Sequence, residues 1–175
     1  MRRVGLACVL TMAAGVAMAQ APAGPTGPAA EVQRAYAAAK GNILKSADKM
    51  PAADYSYKPE PDIRTFARVL NHVTEAQARS CGAMNKTAPD AIVKAPEDTA
   101  DKATIVTALN ASFAECDKAF AALTDANALD MLDLGKTKRS RIGLAWGTSQ
   151  HDTEQYATLA LYLRLKGIAP PSSEK

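Results

Sequence analysis

The chain has 175 residues, with 21 Lys and Arg against 18 Asp and Glu, a formal net charge of +3. The two signs are interspersed along the chain, which excludes a nucleic-acid reader built on a clustered basic surface. The length suits one domain around a single core.

At the N-terminus Arg2 and Arg3 precede an apolar run from Val4 to Val16, followed by Ala17-Met18-Ala19, a small-x-small cleavage pattern. Residues 1–19 therefore read as a secretory signal peptide. The run is too short to span a bilayer and no stop-transfer segment follows, so no stable membrane anchor is expected. The mature protein is expected to be exported, to the periplasm or outside the cell. Cleavage after Ala19 removes Cys8, Arg2 and Arg3, leaving 19 basic against 18 acidic residues and a net charge of +1. Residues 20–30, QAPAGPTGPAA, lack periodicity and read as a flexible lead-in. The domain proper is assigned to residues 31–175.

Helix one is predicted from about Ala30 to Lys49, with Val32, Tyr36, Ala39, Ile43 and Ala47 forming a stripe at steps of three and four. Met50-Pro51 ends it. Residues 52–61, AADYSYKPEP, read as an ordered loop anchored by Tyr55 and Tyr57, with Pro61 at the N-terminus of helix two. That helix carries Ile63, Phe66, Leu70, Val73 and Gln77 toward Cys81, with His72 at the edge of the stripe. After a loop from Asn85 to Ala100, Thr99 or Asp101 caps helix three, whose inward side holds Ile105, Leu109, Ser112, Phe113, Cys116, Phe120 and Leu123. Helix four is predicted from near Thr137 to Lys166, with Ile142, Ala145, Trp146, Ser149, Tyr156, Leu159, Tyr162 and Leu163 facing in. Gly167 closes it and Pro170-Pro171 prevents continuation. The basic run Lys136 to Arg141 reads as a solvated loop. No segment alternates with the period of a strand, so the fold class is all-α, a four-helix bundle.

Cys81 and Cys116 remain in the mature chain, each on the apolar side of a helix. Spacing admits two readings, a disulfide in an oxidising compartment or two buried free thiols.

His151 and Gln155 stand four residues apart, hence on one helical face, and His72 is the other mature histidine. Ser149 lies on a different face from His151, which argues against a serine nucleophile with that base. Asp152 and Glu154 read as solvating charge.

Several blocks together resemble the DinB-like family of metal-binding four-helix bundles, which also includes YfiT-type proteins. These are Met50-Pro51 with Tyr55 to Pro59, FARVLNH from Phe66 to His72, SFAECDKAFAALTDA from Ser112, and HDTEQYATLALYLRLKGIAPPSS from His151. The resemblance implies a divalent metal held by one histidine of helix two and an H-x3-H pair of helix four. His72 and His151 match two ligands, and Gln155 stands where the third histidine is expected. It further implies metal-assisted hydrolysis, or transfer of a thiol-containing small molecule, with Tyr57 or Tyr156 supporting the ligands. A homodimer paired through helix faces is also implied.

Imidazoles with an open position suit zinc, nickel or iron, and carboxylates suit manganese. The glutamine amide offers only a neutral carbonyl oxygen, so the expected affinity falls tenfold to a hundredfold or more. Glu75, Glu154 or Asp152 would restore it by swinging in. The alternative is a non-catalytic exported binding or structural bundle with a degenerate site, in which the histidines and Gln155 form a hydrated polar pocket.

Overall fold

The computed structural model describes residues 26–174. The signal peptide, Cys8 and most of the lead-in lie outside the described residues. Within them the chain folds into α1 (Pro28–Lys49), α2 (Phe66–Asn85), α3 (Lys102–Ala121), a hairpin of β1 (Met131–Asp133) and β2 (Lys138–Ser140), and α4 (Arg141–Leu165). The fold is mostly helical as read from the sequence, and the hairpin corrects the expectation of no strand. Its strands are three residues long, too short to display alternation.

The α1 helix starts earlier than expected, inside the lead-in. Pro28 fills the first turn, where its missing N–H costs nothing, and Asp125 Oδ1 accepts from Ala29 N at 2.8 Å. Gly27 is required there, because its φ is +113° and a Cβ would stand 2.0 Å from Asp125 Oδ2. The α2 helix starts later than expected, at Phe66 rather than just after Pro61. Thr65 caps it by accepting from Arg68 N at 3.1 Å, and Ile63 is left 42 % exposed in the preceding loop. That loop is ordered as predicted: Tyr55 is buried, its hydroxyl donates to Ala47 O at 2.7 Å and its ring packs edge-on against Phe66.

Asp101 caps α3 by accepting from Thr104 N at 2.7 Å. Helix four does not open near Thr137 as expected: Lys138–Ser140 form β2, and Ser140 becomes the cap of α4. The reversal is made by Asp133, whose Oδ1 accepts from Gly135 N at 2.9 Å, and by Gly135 itself at φ +83°. Gly167, at φ +73°, ends α4 as expected, with Ile168 N donating to Leu163 O at 2.8 Å.

The core is built from the inward stripes, with Ile43, Leu70, Leu109, Phe113, Leu159 and Leu163 buried. Tyr36 stacks on Phe120 with ring centroids 3.9 Å apart. The α2 helix packs chiefly on α3 and α4, while α1 lies along α4. Trp146 does not face in; it is 55 % exposed. Cys81 and Cys116 are joined in a buried disulfide between α2 and α3, with Cα atoms 4.9 Å apart, which decides between the two readings of these residues.

Candidate functional site

The contact between α2 and α4 brings His72 and His151 together across 79 positions of sequence. Their Nε2 atoms are 3.1 Å apart, with ring planes inclined at 67°. One ring therefore donates its Nε2 proton to the lone pair of the other, an arrangement that requires at least one neutral imidazole. Burial, followed by the nearby Arg64, His151 and Arg68, pushes the His72 pKa below the ordinary histidine value, which favours the neutral form.

Behind each ring, on its Nδ1 side, stands a carboxylate. Glu75 Oε2 lies 3.8 Å from His72 Nδ1, and Arg68 holds the same carboxylate through two bonds of 2.7 and 2.9 Å. The guanidinium keeps the Glu75 carboxyl below the usual carboxylate range. Asp152 Oδ1 lies 3.8 Å from His151 Nδ1. Both separations are too long for a direct hydrogen bond, so the carboxylates act on the rings by charge.

Asp152 is fully buried, which corrects its reading as solvating charge; Glu154 is exposed as expected. The helices give Asp152 a polar chain inside the core: Gln77 Nε2 donates to its Oδ2 at 2.9 Å, and Ser112 Oγ donates to Gln77 Oε1 at 2.8 Å. Among the described residues its other oxygen, Oδ1, and His151 Nδ1 have no hydrogen-bond partner. Burial pushes the Asp152 carboxyl pKa up, opposed by His151 and Gln77.

Gln155 is buried one turn beyond His151, at 6 % exposure. Among the described residues no hydrogen bond joins its amide to either imidazole. Tyr57 packs edge-on against Tyr162, and the Tyr156 hydroxyl is engaged with Ser172, donating to its Oγ at 2.6 Å and accepting from its N at 2.9 Å. Among the described residues neither tyrosine bonds to the histidine pair.

Two nitrogens each 2.0–2.1 Å from a tetrahedral zinc are about 3.3 Å apart. The observed 3.1 Å matches that edge to within a few tenths of an ångström. The spacing of the two imidazoles is thus compatible with a divalent cation held between them. Among the described residues no group of three or more His, Cys, Asp or Glu side chains forms a ligand cluster. Glu75 and Asp152 sit behind the rings rather than between the Nε2 atoms. His151 also forms part of the wall of a cleft of about 820 Å3.

A family model described as the DinB superfamily matches residues 35–159. Among solved structures, a DinB-like protein of Bacillus subtilis is 14 % identical, with 78 % of this chain and 92 % of that chain covered and a TM-score of 0.62. A DinB-like protein of Bacillus cereus is also 14 % identical, over 80 % and 93 %, with a TM-score of 0.63. A conserved protein of Enterococcus faecalis gives 14 %, over 78 % and 95 %, and a TM-score of 0.62. These likenesses show the fold. No curated protein matches by sequence.

Proposed function

The chain belongs to the DinB superfamily, and on that premise we propose an exported bundle whose His72 and His151 hold a divalent cation, with Gln155 as a weak third donor. The observation that carries this reading is the 3.1 Å approach of the two Nε2 atoms. Zinc, nickel, manganese and iron all suit such a donor set. When bound, the cation supplies Lewis-acid chemistry suited to hydrolysis or to transfer of a thiol-containing small molecule. The chain's own residues place a charge behind each ring: Arg68 holds Glu75 behind His72, while Ser112 and Gln77 hold Asp152 behind His151.

The Cys81–Cys116 disulfide supports export, because such bonds persist in oxidising compartments. Mass spectrometry of the mature N-terminus tests the cleavage after Ala19. Trp146, Leu161 and Leu165 are each more than half exposed on α4, within about 100° of one another around its axis, which supports pairing of two copies. Light scattering reads that directly.

A second reading is a non-catalytic binding or structural bundle. It is favoured by the direct bond between the imidazoles, which satisfies both Nε2 atoms without a ligand. Calorimetric titration of the untagged protein with zinc separates the two. Binding of one zinc per chain, abolished in His151→Ala and tightened tenfold to a hundredfold in Gln155→His, is the outcome expected of the metal site. Absence of zinc binding in the wild type would leave the second reading, and no gain in Gln155→His would mean that the three side chains do not meet.

A further inference from the structure

The cleft beside His151 has a composition that the cation site does not explain. Its volume of about 820 Å3 lies in the range of small-molecule sites. Three cationic side chains line it, Arg79, Lys86 and Arg139, against one carboxylate, Asp133. That carboxylate is already engaged through Oδ1 by the turn at Gly135 N, 2.9 Å away. Arg79 and Lys86 form no ion pair among the described residues.

Arg139 is held in place by the hairpin and by the helix it faces. Strand pairing sets it opposite Leu132, and its Nη2 donates to Gly143 O at 2.8 Å. The guanidinium lies across Gly147, where a Cβ would come within 3.3 Å of it. A glycine on this face of α4 thus provides the seat for the guanidinium. Between the charges the wall is apolar, formed by Ile92, Leu134 and Leu144. A cleft with an excess of one sign and low-dielectric walls focuses its field on the interior and concentrates ions of the opposite sign.

We infer that this cleft binds a small amphiphilic organic anion, its acidic group held by Arg79 and Arg139 and its apolar body lying on Ile92, Leu134 and Leu144. Lys86 adds attraction from the wall. The site shares His151 with the proposed cation pair and needs no cation, so each of the two readings can fail alone.

The test compares two fluorescent dyes with the same ring system, anilinonaphthalene sulfonate and the uncharged phenylnaphthylamine. The sulfonate is expected to bind once per chain, more tightly than the neutral dye and less tightly as salt is added. Arg79→Gln and Arg139→Gln, both at exposed positions, should each weaken it roughly five- to tenfold. Lys118→Gln, on the outside of α3, should leave it unchanged. Gly147→Ala raises helix propensity and so preserves the fold, yet by crowding Arg139 it should also weaken sulfonate binding. Equal affinity for the two dyes, or wild-type affinity in both arginine variants, would overturn the inference. So would loss of sulfonate binding on chelation, because the anion would then be bound to the cation. Sulfonate binding by protein that takes up no zinc would leave the inference standing while the metal reading fell.

Discussion

Breaking the Cys81–Cys116 bridge is a perturbation whose size follows from the fold. The bond ties α2 to α3 across 35 residues of chain, with both cysteines buried. A cross-link of that span removes conformational freedom from the unfolded chain worth about 4 kcal/mol at 25 °C. The unfolding entropy of a domain of this size is about 0.3 kcal/mol/K, so the midpoint of thermal unfolding should fall by about 13 °C. Cys116→Ala already breaks the bond, leaving Cys81 as a free thiol that packs as a small hydrophobe. Adding Cys81→Ala then removes only packing, about 1 kcal/mol. Calorimetry of wild type, single and double variants should therefore show nearly the whole loss in the first step. Two steps of equal size, or an intact wild-type mass with both thiols reduced, would refute the reasoning.

Two further predictions concern hydrogen-bonded carboxylates. Thr87 and Asn85 both donate to Glu115 Oε1, the latter at 2.8 Å, and hold its carboxyl below the usual carboxylate range. Because the folded pKa is the lower one, the stabilisation is present above the unfolded value of about 4.3 and is lost as pH falls through the folded value. Glu115→Gln should cost about 1 kcal/mol near neutrality and progressively less in acid, read by urea unfolding at a series of pH values; a gap independent of pH would contradict this. Gly27→Ala forces a side chain into a left-handed position and against Asp125, so it should cost about 2 kcal/mol and raise amide exchange in the first turn of α1. Wild-type exchange rates there would show that Asp125 does not cap the helix.

The inward stripes were legible because apolar residues recur with the period of the helix, as Ile43, Leu109 and Phe113 do. Gln77 and Ser112 stood within those stripes as polar exceptions. Asp152, which gives them a partner, was not legible. Beside Glu154 it reads as surface charge, and only the packing of α2, α3 and α4 puts it inside. Trp146 sits about 100° around the helix from the buried Ala145, so including it in the stripe widened the face beyond what α1 and α2 cover. The cap of α1 depends on Asp125, 96 residues beyond Ala29, a distance over which local pattern carries no information. The approach of the imidazoles is equally non-local. It was anticipated from the order of whole blocks of sequence.

The neighbour of the first helix is the last one. A chain delivered N-terminus first therefore presents the apolar stripe of α1 long before residues 141–165 arrive to complete its cover, even though Tyr36 meets Phe120 of α3 sooner, whereas α2 and α3 are consecutive and can meet at once. Throughout that delay α1 is the sticky part of the nascent polypeptide. It is the segment on which a holdase would act to best effect, and the one from which premature self-association would spread.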